Sequence, residues 1–337
     1  MPRPSRATTR RALAVPAVTA LVLSLAACGE DDEPEAGQPT GAGLDSISIS
    51  DNVGEPPEVE WDGRVSVDEV ESETIVEGDG PELTDGAAVM GQILIGNGYS
   101  ESTVLSTWDQ QPATPQIFDP ADELPAGIVA AFEGTTVGSR TAVVAPPEDA
   151  FGELGNPQLG IGNADSVLFV MDSVGVVQPS ITDERQDPPA GTPRVVENGD
   201  GAVTKLDFAD AAQPSGELKV TVLAEGNGPR VQADDFVAVT YLGQTFDGDK
   251  PFDQNFTAPE PDPNNPTAAP AEAGPSVFSL DGVVKGWKQG LTGIPTRSRV
   301  LLEIPPALGY GEEGQPPDIQ GGDTLYFVID VLGTSTA

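Results

Sequence analysis

The sequence predicts an α+β protein built from two copies of one domain, each an antiparallel sheet wrapped on one short helix. Two observations carry this. Three blocks recur in the same order: VEGDGPELTDG (76–86) with AEGNGPRVQAD (224–234), VGSRTAVVAPPEDAFGELGNP (137–157) with TRSRVLLEIPPALGYGEEGQP (296–316), and DSVLFVMDSVG (165–175) with DTLYFVIDVLG (323–333). Each copy is then mostly strand with one short helical candidate, in the order strand, strand, helix, strand, strand.

The elements follow in order. Arg3, Arg6, Arg10 and Arg11 precede an apolar stretch, residues 12–27, interrupted by Pro16. That stretch is shorter than the ~20 residues of a membrane span, so 1–27 reads as an export signal. It ends Leu25-Ala26-Ala27-Cys28, which resembles a bacterial lipobox, the motif in which the cysteine is lipidated and becomes the mature N-terminus. An acyl chain buries ~0.8 kcal/mol per methylene. Residues 28–44 are expected to be a disordered acidic tether. The first domain is expected over 45–178, a linker over 179–194 and the second domain over 195–337. The repeat offsets, 148 then 159 and 158, place extra chain in the middle of the second copy. It lies in 258–276, which carries six prolines in 19 residues and reads as a solvated insertion. In the second copy LKVTVLA, FVAVTYL, SRVLLEI and TLYFVIDVL are strands, with Val237, Val239 and Tyr241 sharing one face of their strand and Leu325, Phe327 and Ile329 one face of theirs. Val284–Leu291 is the helix.

Composition removes whole classes of chemistry. The 337 residues hold 16 Lys+Arg against 54 Asp+Glu, a net charge of −38, which repels a phosphate backbone and excludes nucleic acid as a partner. There is no histidine, so Ser-His and Cys-His nucleophiles and His-rich zinc sites are absent. The single Cys28 makes no internal disulfide. Asp247, Asp249 and Asp253 hint at calcium, but the glycine and the terminal acid of a calcium loop are missing. No cofactor and no metal are expected.

Several side chains have two readings. Trp287 suits a core position as well as a pocket floor. Phe252 and Phe327 are as much core as pocket, and Asp253 is also an ordinary turn residue. Tyr310, among glycines in LGYGEEG, is poor core material and favours function.

The second copy resembles an FKBP-type peptidyl-prolyl cis–trans isomerase. The residues that carry the resemblance are VTYLG (239–243), PFD (251–253), FSLDGVVKGWKQGL (278–291), IPPALGYG (304–311) and DTLYFVIDVL (323–332). The resemblance implies a half-barrel sheet around the helix and an apolar pocket for the proline of an Xaa-Pro peptide. It assigns Trp287 to the floor, Tyr241, Phe252 and Phe327 to the walls, Val283 and Val284 to the apolar pair whose backbone binds ligand, and Tyr310 to a hydroxyl that bonds the substrate carbonyl. Asp253 becomes the acid beside the pocket and Ile319 an apolar lip. Tyr241, Asp253, Trp287, Tyr310 and Phe327 are the expected catalytic set; Phe252, Val283, Val284 and Ile319 bind substrate. This sequence departs from the family pattern at QNFTAP after Asp253, at Gly282 and at Gln315.

The first copy keeps Gly78, Gly80, Pro81, Arg140, Pro146, Pro147 and Gly152. It has Ile128 in the place of Trp287, Ile93 for Tyr241, Phe151 for Tyr310, and Val104-Leu105 near the Phe-Asp position; Phe169 matches Phe327. It is expected to fold on its own and catalyse poorly. Three functions follow as expectations: a membrane-tethered isomerase assisting the folding of exported proteins outside the cytoplasmic membrane, a peptide-holding chaperone lipoprotein with little turnover, or a spacer. The expected partners are Xaa-Pro segments of unfolded proteins and the membrane through Cys28, with the protein a monomer.

Overall fold

The computed structural model describes residues 42–84, 86–182, 184–258 and 273–335. The expected export signal, Cys28 and most of the expected tether lie outside them, as does the bulk of the proline-rich segment 258–276.

In the first lobe, β1 (Ile47–Ile49) and β2 (Val59–Trp61) form a hairpin. Then come β3 (Glu71–Val76), β4 (Ala88–Asn97), β5 (Ser102–Ser106), β6 (Gln116–Phe118), α1 (Ala126–Ala130), β7 (Arg140–Ala145) and β8 (Val167–Val177). The second lobe repeats this. Its hairpin is β9 (Arg194–Glu197) with β10 (Val203–Asp207), followed by β11 (Lys219–Ala224), β12 (Phe236–Thr245), β13 (Asp253–Gln254), β14 (Ser276–Ser279), α2 (Lys285–Leu291), β15 (Ser298–Ile304) and β16 (Leu325–Thr334). The sheet orders are identical: β3-β7-β8-β4-β5 with β6 also on β4, and β11-β15-β16-β12-β13 with β14 also on β12. Every pairing within these two sheets is antiparallel.

Alternation along the strands divides each sheet into two buried faces. In the second lobe Val237, Val239, Tyr241, Leu302, Phe327 and Ile329 face α2. Leu242, Leu301, Tyr326 and Val328 face the other way, onto Val203, Leu206 and Phe208 of the hairpin segment. The first lobe has the same two layers, with Leu94, Ala142, Val144, Leu168 and Val170 under Leu44, Val65 and Val67. The hairpin layer is an addition to the expected sheet-on-helix arrangement. It explains why the central strands run apolar rather than alternating with polar residues.

A buried ion pair bolts each hairpin down. Arg140 and Asp172 stand opposite each other on β7 and β8, fully buried, with Nε to Oδ1 at 2.7 Å and Nη2 to Oδ2 at 2.8 Å. The guanidinium also donates to the carbonyls of Ser50 (2.9 Å) and Glu55 (2.7 Å), and Asp172 accepts from the Gly54 N–H at 2.8 Å. The repeat places Arg299 opposite Asp330 on β15 and β16, and Arg299 also pairs with Glu197 on β9.

The lobes meet through equivalent positions. A Cβ on Gly175 would lie 2.5 Å from the Thr334 carbonyl oxygen, and one on Gly333 would lie 2.8 Å from that of Val176. Only glycine permits this approach. Around it, Met90, Ala88, Ile117 and Val174 pack with their counterparts Ala238, Phe236, Val277 and Leu332 in one apolar cluster. Such reciprocity is that of an isologous, two-fold contact. The segment 179–194 lies along the second lobe: Thr182 N–H donates to Arg297 O, Gln186 N–H to Leu223 O, and Ile181 joins the shared cluster.

Candidate functional site

On the α2 face of the second lobe is a cleft of about 270 Å³. Its floor is Trp287. Val284 caps α2 with extended backbone, φ −58° and ψ 146°, and the turn that follows points the indole at the sheet. Gly286 and Gly290 let the helix lie directly on the sheet, since a Cβ at Gly286 would meet the Ile304 side chain at 2.4 Å and one at Gly290 the Leu302 side chain at 2.9 Å. Trp287 is 4 % exposed, and its Nε1 has no hydrogen-bond partner among the described residues.

Three rings stand edge-on to this indole: Phe327 at 5.2 Å and 90°, Tyr241 at 5.3 Å and 80°, and Phe278 at 5.6 Å and 75°. Phe252 packs on Phe327 at 5.5 Å and 82°. T-shaped pairs each add ~0.5–1.5 kcal/mol beyond burial, so the floor and walls hold one another rigid. Gly243 of β12 makes room for this, because a Cβ there would lie 2.6 Å from both Phe252 and Phe327.

The polar groups are few. The Tyr241 hydroxyl donates to Asp253 Oδ2 at 2.6 Å. Burial, then that hydrogen bond to a carboxylate, pushes the Tyr241 phenol well above its usual range. Tyr310, 37 % exposed on the loop after β15, is also pushed up, by burial and then by the nearby Asp253 charge. Both phenols therefore remain protonated donors at neutral pH. Val283 and Val284 line the remaining wall, and the Val284 N–H has no acceptor among the described residues. The lining is thus apolar with a carboxylate and two hydroxyls on one side, suited to an uncharged ring with a carbonyl attached.

The structure brings together Tyr241, Phe252, Asp253, Val283, Val284, Trp287, Tyr310 and Phe327 around this cleft. Ile319 is not among the lining residues; it is 2 % exposed and packs in the same cluster as Tyr241, Trp287 and Phe327, on a loop held by paired backbone bonds to Gln315 (2.9 and 3.2 Å). Two lining residues were missed, Phe278 and Gly282. Phe278 stands on β14 opposite Val237, and the aromatic in FSLDG was the signal for it.

The first lobe has the frame with other contents. By strand register Leu105 occupies the place of Asp253, Ile93 that of Tyr241 and Phe118 that of Phe278. Gly127 packs on Ala145 as Gly286 does on Ile304, which sets Ile128 where Trp287 stands. Phe151 packs against Phe169 at 6.3 Å. No hydroxyl or carboxylate occupies these positions.

Comparison with known proteins bears on the second lobe. Residues 228–332 match the family model for FKBP-type peptidyl-prolyl cis-trans isomerases. The chain is 34 % identical over 132 residues to the peptidyl-prolyl cis-trans isomerase FKBP15-2 of Arabidopsis thaliana, covering 38 % of this chain and 72 % of that one. This chain belongs to the FKBP-type isomerase family. It is also 35 % identical over 120 residues to the FKBP-type isomerase FkpA of Escherichia coli, covering 36 % of this chain and 38 % of FkpA. The chain thus spans well under half the length of that relative. A crystal structure of a peptidyl-prolyl cis-trans isomerase from Pseudomonas syringae pv. tomato aligns at 32 % identity and a TM-score of 0.29, over 35 % of this chain and 76 % of that one. The matched FKBP segment starts ahead of β12 and ends within β16, and so contains every residue of the cleft.

Proposed function

We propose that the second lobe catalyses cis–trans isomerisation of Xaa-Pro peptide bonds. The observation that carries this is the aromatic cleft around Trp287 with the Tyr241–Asp253 pair at its side, set in a segment that matches the isomerase family. An Xaa-Pro bond favours trans by only ~0.5–1 kcal/mol, yet exchanges over tens to hundreds of seconds. Its barrier of ~18–20 kcal/mol is the loss of amide resonance. No nucleophile or metal is needed to lower it. A dry pocket strips water from the planar, polar imide and binds the twisted form, which has less charge separation, better than the planar one. Trp287, Phe327 and Phe252 hold the proline ring. The Val284 N–H and the Tyr310 hydroxyl are the donors within the cleft for the flanking carbonyls, and Asp253, tied to Tyr241, keeps the polar wall in place. With no histidine and both phenols protonated, turnover is expected to vary little between about pH 6 and 9.

The chain is further proposed to act on exported proteins outside the cytoplasmic membrane, held there by a lipid on Cys28. The support is the sequence of residues 1–28; among the described residues no helix is long and apolar enough to cross a membrane. Exchange NMR of an Xaa-Pro peptide with the full chain tests the activity: catalysis by wild type and its loss in Trp287→Ala are expected, and equal rates would refute it. Fractionation of Cys28→Ala tests the anchor, which would lie elsewhere if the variant stayed with the membrane after signal removal.

A further inference from the structure

We infer that Asn255 is a positioning residue of the cleft: it closes a gap in the outer edge of β12 and so fixes the backbone that aims the Tyr241 hydroxyl at Asp253. The inference rests on the isomerase reading of that cleft.

The outer edge of β12 is shared by two short strands. Phe236–Val239 pairs with β14, and Leu242 and Gly243 pair with β13. Thr240 and Tyr241 face neither strand. An unpaired stretch in the middle of an edge would leave Tyr241 held from one side only, by Ile329 of β16. Asn255, just past β13, fills the gap with every polar group it has. Its Oδ1 accepts the Tyr241 N–H at 2.6 Å, and its Nδ2 donates to Val239 O at 3.1 Å and to Ser276 Oγ at 3.2 Å. Its own N–H donates to Tyr241 O and its carbonyl accepts the Gly274 N–H, both at 3.0 Å. One side chain thus joins β12, the end of β13 and the start of β14. The Tyr241 hydroxyl and the Asp253 carboxylate it bonds are carried on the two strands that Asn255 ties together. Productive geometry at such a site tolerates only ~0.5 Å of displacement.

The first lobe provides an internal comparison. Thr107 stands in the place of Asn255, and its Oγ1 accepts the Ile93 N–H at 2.9 Å. There the closed gap holds the backbone of an isoleucine, with no hydroxyl to place. Gap closure is therefore common to both lobes, and only in the second does it orient a donor. Thr107 also shows that a threonine supplies the acceptor at this position.

The experiment uses the full chain labelled with ¹³C at tyrosine Cζ, a nucleus sensitive to hydrogen bonding of the phenol. The sequence has four tyrosines, and the Tyr241 signal is the one lost in Tyr241→Phe. Asn255→Thr and Asn255→Val have the same shape and differ in the acceptor. Asn255→Thr should leave the Tyr241 signal and turnover near wild type. Asn255→Val should move that signal towards a solvent-exposed phenol and lower kcat roughly tenfold, the scale of one hydrogen bond, with KM within about twofold. In the Tyr241→Phe background the same Val substitution should cost little further. Should Asn255→Val not fold, Asn255→Ser against Asn255→Ala makes the same comparison. An unmoved Tyr241 signal in the variant lacking the acceptor overturns the proposal, as does an equal loss of kcat with and without the Tyr241 hydroxyl. A wild-type chain that turns over no Xaa-Pro peptide refutes the isomerase reading instead, and the resonance comparison then still decides whether Asn255 places Tyr241.

Discussion

The two lobes share a sheet order, a helix, an ion pair and a hairpin, and differ most in the contents of the face that packs on the helix. Around α2 the second lobe has Trp287, Tyr241, Asp253 and Tyr310; around α1 the first has Ile128, Ile93, Leu105 and Phe151. The substitutions are apolar for aromatic or polar, and the register of every neighbouring strand is unchanged. The frame is therefore separable from the chemistry. What the frame requires is glycine at Gly127 and Gly286, an acceptor at Thr107 and Asn255, and the Arg–Asp pair. What the proposed reaction requires is carried by a handful of side chains whose places the first lobe fills with others on the same frame.

The largest expected effect tests that separation directly. Trp287→Ala should abolish most turnover and cost roughly 3–5 kcal/mol of stability, since it truncates a buried indole that three rings lean on. Ile128→Ala should cost roughly 2–5 kcal/mol and leave turnover unchanged. Urea unfolding and peptide-exchange rates on both variants decide it. A loss of turnover in Ile128→Ala with the second lobe still folded would mean that the first lobe takes part in the reaction.

The ion pairs come next. Removing one partner of a buried pair costs roughly 3–5 kcal/mol, whereas replacing both with apolar residues is often neutral. Arg140 and Asp172 are fully enclosed, while Arg299 leans on Glu197, which keeps a third of its side chain in solvent. Arg140→Met should thus destabilise more than Arg299→Met, and Arg140→Met with Asp172→Leu should recover much of the loss. Hydrogen exchange should show β1 and β2 opening first in the single variant. Equal losses in the two lobes would show that the enclosure of Arg140 adds nothing.

The duplication and the long strands were legible because repeats and apolar alternation are local, and they point to the same fold. Most of the cleft was legible through motif residues that happen to be aromatic. The hairpins were not: β1 and β2 are three residues each, and Ile47, Ile49, Val59 and Trp61 are only partly buried, so no window of sequence stands out. Ile319 was placed by the resemblance alone, and the backbone pairing with Gln315 that holds its loop leaves no pattern in the sequence. The contact between lobes rests on Gly175 and Gly333, whose partners lie in the other copy and leave no periodic trace. That shared apolar cluster also bears on the expectation that the first domain folds alone, since separating the lobes exposes Met90, Val177 and Leu332 to water.

Acid distinguishes the outer faces. Glu303 on β15 has Val144 as its counterpart on β7. Burial raises the Glu303 pKa, but hydrogen bonds from the Ser215 N–H (2.6 Å) and hydroxyl (2.8 Å), and Lys219 Nζ at 3.2 Å, outweigh it, so the carboxyl sits below its usual range. A depressed folded-state pKa stabilises above the unfolded value, near ~4.3, and that stability is lost as pH falls through the folded value. Wild type should therefore exceed Glu303→Gln in urea midpoint at pH 6, and the gap should close as the pH drops below about 4. A gap that stays constant down to pH 2.5 would show that the contact acts through shape and not charge.

The smallest effect is a single oxygen atom, and the lobes offer it in both directions. Tyr310 and Phe151 hold the same place on the loop after β15 and β7, and they differ only in the hydroxyl. In the second lobe the ring is a third exposed at the cleft mouth, and its hydroxyl is close enough to Asp253 to feel that charge. Tyr310→Phe removes a donor without opening a cavity, so the urea midpoint should be unchanged. If the hydroxyl bonds the substrate carbonyl more strongly as the imide twists, kcat falls by the value of one hydrogen bond, ~0.5–1.5 kcal/mol or up to roughly tenfold, with KM little changed. A bond made equally to planar and twisted substrate would raise KM and spare kcat. Phe151→Tyr should add nothing to turnover, because Ile128, Ile93 and Leu105 leave the new hydroxyl no ring to hold and no carboxylate to face. Measured turnover in an otherwise inactive Trp287→Ala background would reveal any gain. A rise there would mean that the hydroxyl alone, set on this frame, suffices to turn proline, and that the aromatic floor matters less than the geometry of the second lobe implies.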